Sequence, residues 1–317
     1  MSKLPYIPYT VTENPWDPDE LGNHRAVIHV AASADVVRVV VPWRRRDSNP
    51  SDKGVILKSI GGTKIEHCHA ENIANESGTF VFEPADGPGV YYIYFMPYTG
   101  TVKKPYPQID YLPVIEGTDS WFQQVTSNPS ASYDEAALKA LECVDEFNKF
   151  TEMELIAAKD ELSAFVSTAG DKRFLSILED RKNPIRMTDM IPFRWTQRES
   201  RIELADNAKQ GEYYVFQVGV YAFDHDLPDL SIQFQDMVSG TSGIGVPKES
   251  FTCFNTAGVG WNGTEFTKAI SVPPGFVQAL WCGIDIPVEL PAGEYQAIVT
   301  IITGSSEEQL TLSLNVE

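Results

Sequence analysis

The stretch WCGIDIPVELPAGEYQAIVTI, residues 281–301, decides the fold of the C-terminal part of the chain. Pro287 and Pro291 separate two apolar runs, and because proline cannot donate to a sheet ladder, they mark strand ends. Gly293 tolerates the positive φ that a turn can require. From Tyr295 onward, apolar side chains recur at every second residue, which is the period of a strand with one buried face. The last segment repeats this period with Leu310, Leu312, Leu314 and Val316. The pattern predicts three consecutive antiparallel strands, as in a β-sandwich.

The periodicity of apolar residues divides the whole chain into three segments. Residues 24–100 contain β-branched and aromatic runs separated by turn residues, and residues 200–317 return to the same pattern. We therefore predict a mainly β fold: two β-sandwich domains joined by a small α/β helical connector. The predicted boundaries are 1–115 for the first sandwich, 116–199 for a linker and the connector, and 200–317 for the second sandwich.

The connector is the least regular part of the sequence. Ser132 and Glu135 have the spacing of a capping box, and Leu138, Leu141 and Val144 follow at helical spacing, so residues 133–169 are predicted to hold the main helices. The following segment, FTEMELIAAKDELSAFV, fits either a continuous helix or a short strand, MELI, followed by a helix over 159–166. We favour strand–helix–strand, with RFLSIL as the second strand, and leave 150–157 open between strand and helix.

The composition excludes several classes of partner. Of the 317 residues, 43% are hydrophobic, which suffices for roughly two domains with cores. Twenty-five basic and 44 acidic residues give a net charge of −19, which repels nucleic acid and anionic membrane surfaces. No apolar run approaches the ~20 residues that span a bilayer. We expect neither nucleic-acid nor membrane partners.

The cysteines and the N-terminus bear on localisation. Cys68, Cys143, Cys253 and Cys282 form no CxxC pair and are predicted to be buried free thiols, although a bridge between Cys253 and Cys282 stays open. The N-terminal MSKLPYIPYT lacks the apolar core of a signal peptide. The protein is therefore either cytosolic or exported with a signal that this sequence does not contain.

The run PWRRRD is the sharpest local motif. Trp43, Arg44, Arg45, Arg46 and Asp47 follow an apolar strand in an acidic protein. If side chains alternate there, Arg44 and Arg46 form a guanidinium pair that binds carboxylates, and Trp43 stacks on a sugar ring. The alternative is that the arginines pair with carboxylates of this chain between domains. We predict a carbohydrate or interdomain contact at Trp43, Arg44 and Arg46, and favour the ion-pair network.

Two carboxylates and two histidines are weaker candidates. Glu152 and Glu154 would share a strand face at a separation close to that of glycosidase acid pairs, yet such a pair must flank the scissile bond in a deep pocket. They are candidate catalytic residues, with an acidic edge as the favoured interpretation. His67 and His69 in EHCHAE share a strand face, but a zinc site needs three or four ligands. No metal or cofactor is predicted.

Three aspartates and three tryptophans also allow either a ligand-binding or a structural interpretation. Asp224, Asp226 and Asp229 lack the glycine and distal glutamate of an EF-hand loop, so an ordinary loop is favoured. Tryptophan can provide a sugar platform but more often fills a sandwich core. The tryptophans concerned are Trp195, Trp261 and Trp281.

The chain resembles a known family in several segments. In the second β region these segments are AKQGEYYVFQVGVYA, FNTAGV and VPPGFVQALWCGIDIPVELPAGEYQAIVTI. In the first half they are ENPWDPDELGNHRAVIHV, VPWRRRD, FTEMELIAAKDEL and LEDRKNPIRM. With these segments, the second β region is similar to the N-terminal sandwich of proteins related to glycoside hydrolase family 123, the exo-β-N-acetylgalactosaminidase family, and the first half resembles their multidomain relatives.

The resemblance implies a function but transfers no catalytic residue. In that family these segments precede a (β/α)₈ barrel that carries an adjacent Asp–Glu pair, and the acetamido group of the substrate acts as nucleophile. The expected function is therefore an accessory region that supports or shapes a catalytic barrel located C-terminal to it, with a carbohydrate ligand. On this expectation the chain alone is non-catalytic. The alternatives are a stand-alone carbohydrate-binding or interaction module and a glycosidase complete in this chain.

Overall fold

The computed structural model describes residues 4–101, 105–106, 108–115, 117–128, 132–240 and 243–317. These residues form two compact units, Met1–Thr151 and Glu152–Glu317. Both units are built mainly from strands, so the predicted mainly β fold class is confirmed.

The first unit contains a five-stranded and a four-stranded sheet. Its strands are β1 (Tyr9–Val11), β2 (His24–Val30), β3 (Val37–Val41), β4 (Val55–Ser59), β5 (Cys68–Ile73), β6 (Gly78–Phe82), β7 (Gly89–Phe95), β8 (Tyr98–Thr101), β9 (Gln108–Tyr111), β10 (Asp134–Glu135) and β11 (Ala137–Cys143). The helices are α1 (Pro18–Leu21) and α2 (Ser120–Ser127), and a 3₁₀ turn covers Pro50–Asp52.

The two sheets of the first unit enclose a core of β-branched and aromatic side chains. The spatial orders are β1-β11-β2-β7-β4 and β10-β3-β6-β5, and β8 pairs separately with β9. Most neighbours are antiparallel, whereas β1 runs parallel to β11 and β10 parallel to β3. The rings of Phe82 and Tyr91 meet between the sheets with centroids 5.4 Å apart. Alternate residues of β2 and β3 are buried, as expected for strands with one core-facing side.

The second unit has the same general construction with longer strands. They are β12 (Phe174–Glu179), β13 (Glu203–Ala208), β14 (Tyr213–Ala222), β15 (Leu227–Phe234), β16 (Met237–Val238), β17 (Gly245–Val246), β18 (Phe251–Cys253), β19 (Ala257–Val259), β20 (Glu265–Thr267), β21 (Ile270–Val272), β22 (Val277–Asp285), β23 (Gly293–Thr303) and β24 (Ser306–Val316). The helices are α3 (Lys159–Ser167) and α4 (Phe193–Gln197), with a 3₁₀ turn at Lys248–Ser250.

One sheet of this unit has the order β12-β14-β22-β18, and the other has β13-β24-β23-β15-β21 as its main path. The hairpin β19–β20 is a separate ribbon. Residues 281–301 therefore contribute to both sheets: β22 joins the first, and β23 pairs with β24 along its whole length in the second. The inward side chains Phe216, Leu280, Val299 and Leu312 are fully buried in one shared core.

The prediction that residues 133–169 hold the main helices is wrong for the first part of that segment. Residues 137–143 form β11, which lies between β1 and β2. A register shift between Leu138 and Ala140 inserts an extra residue, so Leu138 pairs with Ile28 and Leu141 with Ala26. The bulge therefore places two leucines three residues apart on one face, which imitates helical spacing.

The rest of the connector follows the strand–helix–strand prediction in part. Helix α3 and strand β12 are present, and the Glu161 carboxylate accepts a hydrogen bond from the Ala158 amide at 2.8 Å, which satisfies one N-terminal amide of α3. MELI is not a strand: it forms turns in which the Leu155 carbonyl accepts from the Phe193 amide at 2.7 Å. Strand β11 belongs to the first unit and β12 to a sheet of the second.

Candidate functional site

The outer face of the sheet β12-β14-β22-β18 has a covered half and an open half. In the covered half, Leu175 and Ile177 of β12 pack against Phe165 of α3 and Trp195 of α4. The contact at α4 is close, because a Cβ added at Gly219 would lie 2.6 Å from the Trp195 ring. The helices thus bury one end of this sheet, and the other end faces solvent.

Three aromatic side chains cluster on the open half: Tyr213, Phe254 and Trp281. They expose 43%, 54% and 43% of their surfaces. The ring centroids of Tyr213 and Phe254 lie 6.2 Å apart. The Phe254 amide donates to the Trp281 carbonyl at 2.9 Å, which makes these residues opposite partners with side chains on the same face. We call these three residues the aromatic cluster.

Gly283 explains how Tyr213 reaches the cluster. A Cβ added at Gly283 would lie 2.3 Å from the Tyr213 ring, so the ring lies directly over the backbone of β22. A glycine inside a strand often marks such a close approach. Any other residue at this position would displace Tyr213 from the cluster.

Polar groups flank the aromatic cluster. Thr252 and Asp285 are exposed next to it on β18 and β22. The Asn255 side-chain oxygen accepts from the Trp281 amide at 2.6 Å and so fixes the backbone beneath the indole. Exposed aromatic faces can stack against the apolar C–H faces of a sugar ring, and the neighbouring polar groups can bond its hydroxyls.

A second surface of this unit is polar instead of aromatic. A groove of about 640 Å³ lies over the sheet formed by β13, β24 and β23. Asn315 donates to the Asn207 side-chain oxygen at 3.3 Å, and Gln296 donates to the Ser313 hydroxyl at 3.2 Å. Amide and hydroxyl groups of this kind can bond sugar hydroxyls, but the ring of Tyr295, which lines the groove, is buried.

The structure separates the members of PWRRRD that were expected to act together. Trp43 is fully buried, and its indole donates to the Ala74 carbonyl at 2.8 Å, so it has no free face for a sugar. Arg44 is buried while Arg46 is exposed, so they do not form a pair. The reason is local: Arg44 has a φ of 50°, in the left-handed region, which interrupts strand alternation. The predicted interdomain role of Arg44 and Arg46 stays a prediction.

The buried cation of this run is Arg45. Its guanidinium binds both carboxylate oxygens of Asp47, and the ring of Trp43 lies 4.8 Å from its central carbon. Lys53 donates to the same carboxylate at 2.5 Å. Asp47 is partly buried, and burial alone raises a carboxyl pKa, but the hydrogen bonds from Arg45 and Lys53 outweigh it and hold the pKa of Asp47 below its usual value. The sequence indicated Arg45 and Asp47 but gave no sign of Lys53.

The two candidate catalytic carboxylates lie in the turn segment before α3. The Glu154 carboxylate forms an ion pair with the Arg186 guanidinium at 2.8 Å. The Arg194 amide donates to the backbone carbonyl of Glu152 at 3.2 Å. Because the segment is not a strand, the expectation that both side chains share one strand face is wrong. A catalytic role for them stays a prediction.

His67 is partly exposed and lies between two carboxylates. Its Nδ1 lies 2.5 Å from a Glu83 carboxylate oxygen and its Nε2 lies 3.2 Å from Asp119, which caps α2. Trp121 stacks on the imidazole with ring centroids 4.9 Å apart. The hydrogen bond to Glu83 is the main cause that raises the pKa of His67. The histidine thereby connects β6 to α2 beside a cavity of about 230 Å³.

The remaining aspartate and tryptophan candidates differ in their exposure to solvent. Asp224, Asp226 and Asp229 are exposed. Within the described ranges no group of three or more His, Cys, Asp or Glu side chains is arranged to hold a metal ion. Trp195 is buried in the covered half of the sheet, whereas Trp261 is fully exposed in the turn of β19–β20.

In the part of the chain that the structure describes, no helix is long and apolar enough to cross a membrane.

A family model connects the first unit to a known group of proteins. Residues 14–144 match the model described as the N-terminal domain of glycoside hydrolase 123. The match covers less than half of the chain and lies within the first unit. PWRRRD and His67 lie inside the matched residues, whereas Glu152, Glu154 and the aromatic cluster lie outside them. No curated protein matches the chain.

Solved structures resemble the chain only distantly. A family 123 glycoside hydrolase from Clostridium perfringens aligns with 9% identity and a TM-score of 0.35, covering 46% of this chain and 27% of that one. A sporulation control protein from Bacillus subtilis aligns with 14% identity and a TM-score of 0.24, covering 46% and 49%. An endo-fucoidan hydrolase of glycoside hydrolase family 107 aligns with 9% identity and a TM-score of 0.23, covering 84% and 24%. The chain therefore spans about a quarter of the family 123 enzyme.

Proposed function

We propose that this chain is a non-catalytic accessory region of a carbohydrate-active glycoside hydrolase. The observation that carries the proposal is the match of residues 14–144 to the family 123 N-terminal domain. Catalysis would then be performed by a (β/α)₈ barrel C-terminal to this region, which the accessory units support or shape. The ion pair of Glu154 with Arg186 is consistent with a structural use of that carboxylate.

Within this function, the aromatic cluster of the second unit is the surface that contacts carbohydrate. Contiguous exposed apolar surface marks interaction sites, and here three exposed aromatic side chains share one sheet face with Thr252 and Asp285. The net charge of −19 disfavours an anionic ligand and favours a neutral sugar. The family resemblance points to glycans that end in N-acetylgalactosamine.

Binding of the chain to such glycans tests the proposal. We expect calorimetric or array binding of oligosaccharides ending in β-linked N-acetylgalactosamine. Trp281→Ala should weaken it by about two- to twelvefold, because an aromatic stacking contact contributes about 0.5–1.5 kcal/mol. Trp261→Ala is the matched control, since it removes an exposed tryptophan elsewhere in the unit. Equal binding by both variants would exclude the aromatic cluster as the sugar contact.

A stand-alone binding module is the competing function, and the aromatic cluster favours it equally. The effect of the chain on a catalytic barrel distinguishes the accessory region from the stand-alone module. If the chain is an accessory region, adding it to a separately produced family 123 barrel should change the stability or the KM of that barrel. A stand-alone module would bind glycans and leave the barrel unaffected.

A further inference from the structure

Cys253 and Cys282 face each other across neighbouring strands. They are direct register partners in the antiparallel pair of β18 and β22. Both side chains point into the core of the second unit, with 7% and 1% of their surfaces exposed. They are free thiols in this structure. Nothing in the proposed carbohydrate contact uses them.

The backbone hydrogen bonds show that Cys253 and Cys282 form a non-hydrogen-bonded antiparallel pair. Antiparallel partners alternate between hydrogen-bonded and non-hydrogen-bonded pairs. The Phe254 amide donates to the Trp281 carbonyl at 2.9 Å, so that pair is of the hydrogen-bonded type and the next one, Cys253 with Cys282, is not. Non-hydrogen-bonded partners bring their Cα atoms to about 4.5 Å. That spacing lies at the short end of the range of about 4.4–6.8 Å that disulfides span.

The two sulfurs have different surroundings, which make Cys253 the nucleophile and Cys282 its partner. The neighbouring Cys282 thiol is the largest influence on Cys253, and together with the amides of Asn255 and Thr256 it lowers the pKa of Cys253. Burial raises the pKa of Cys282. Burial likewise raises the pKa of Cys68 to about 12 and that of Cys143 to about 11. Cys253 is therefore the thiol that most readily becomes a thiolate.

Access to this thiol is available from the sheet edge. Strand β18 contains only Phe251–Cys253 and is the outermost strand of its sheet. Short edge strands open at low free-energy cost compared with the strands of a core. A small oxidant can reach Cys253 during such an opening without unfolding of the unit.

We propose that Cys253 and Cys282 form a dithiol that a low-molecular-weight disulfide such as oxidised glutathione converts into a cross-strand disulfide. The Cys253 thiolate attacks one sulfur of oxidised glutathione, forms a mixed disulfide and releases one glutathione thiolate. Cys282, on losing its proton, then attacks the Cys253 sulfur and releases the second glutathione. The protein loses two protons and two electrons, which the glutathione disulfide accepts to become two glutathione thiols.

The bond would fasten the edge strand beneath the aromatic cluster. Phe254 follows Cys253 directly and Trp281 precedes Cys282, so the disulfide connects the backbone segments that carry two of the three rings. The oxidised form should hold β18 to β22 and resist opening of this sheet edge. The inference does not depend on sugar binding, so its test is independent of the proposed function.

Incubation of the folded chain with oxidised glutathione, followed by intact mass measurement and thiol counting, tests the proposal. We expect the mass to fall by two hydrogens and the number of free thiols to fall from four to two. Trypsin cuts after Lys248 and Lys268, so peptides 249–268 and 269–317 should appear joined and should separate on reduction.

Two variants give the experiment its controls. Cys282→Ser should stop at the mixed disulfide and gain one glutathionyl group at Cys253, because no second thiol resolves it. Cys143→Ser, which removes a buried thiol of the first unit, should oxidise like the parent chain. Four remaining thiols in the folded parent, a bridge between other cysteines, or oxidation only in denaturant would overturn the proposal.

Discussion

Arg45 and Asp47 form a two-point ion pair in the first unit: the guanidinium Nε and Nη2 donate to separate carboxylate oxygens at 2.5 and 2.8 Å. The Arg45 side chain is fully buried and that of Asp47 exposes only 17% of its surface. The Asn75 side chain donates to the carbonyls of Arg45 and Asp47 at 3.0 and 2.8 Å, which closes the turn around the pair. A run of arginines that could have served as a ligand site therefore contributes its central member to the interior.

Replacing the carboxylate should destabilise the first unit. Asp47→Asn leaves Arg45 and Lys53 without their shared anion, and removing one partner of a buried pair costs about 3–5 kcal/mol. Denaturant unfolding should show the loss. Asp52→Asn, an exposed aspartate of the adjacent 3₁₀ turn, is the control and should change stability by less than about 0.5 kcal/mol. Equal unfolding midpoints for the two variants would contradict the assigned role of Asp47.

A comparable network in the second unit is centred on Glu308. Its carboxylate accepts from Lys172 Nζ at 2.8 Å, from Arg201 Nη2 at 2.8 Å and from the Ser176 amide at 2.6 Å. Glu308→Gln should lower the free energy of unfolding by about 3–5 kcal/mol, because a neutral amide at this buried position leaves Arg201, Lys172 and the Ser176 amide poorly paired. Glu307→Gln changes the exposed neighbour on the same strand. We expect it to unfold like the parent chain, and a destabilisation as large as that of Glu308→Gln would argue against the network.

His67 should titrate above the usual histidine value of about 6.5. A raised pKa in the folded state means that this contact stabilises the fold fully below pH 6.5 and that the contribution is lost as the pH rises through the folded-state pKa. NMR titration of the imidazole measures the value. Because the Glu83 hydrogen bond is the largest cause, Glu83→Gln should lower the pKa of His67 more than Asp119→Asn does. The reverse order would show that Asp119 dominates.

The chain by itself should not hydrolyse aryl β-N-acetylgalactosaminides. The expectation follows from the ion pair that engages Glu154 and from the position of both candidate glutamates in a turn. Release of the chromophore is the measurement, with a complete family 123 enzyme as the positive control. Turnover by the parent chain that disappears in a folded Glu154→Gln variant would establish a glycosidase complete in this chain.

Elements whose apolar residues follow a regular spacing along the chain could be predicted from the sequence alone. Strands β14, β23 and β24 were predictable because their apolar residues recur at every second position over 10 or 11 residues. Strand β12 was predictable as a short apolar run, which is typical of a strand buried on both faces. Helix α3 was the favoured interpretation of its segment. The polar and aromatic members of PWRRRD and the tryptophan of β22 were visible as candidates.

The direction and the contacts of these candidate side chains depend on the tertiary structure. The bulge in β11 depends on pairing with β2, more than 100 residues earlier, and it converts strand spacing into apparent helix spacing. The positive φ of Arg44 reverses the expected alternation, so Trp43 is buried and Arg45 meets Asp47 and Lys53. Phe254 and Tyr213 join Trp281 because strand register brings distant residues onto one face. Such contacts arise from long-range pairing, which a local period in the sequence does not encode.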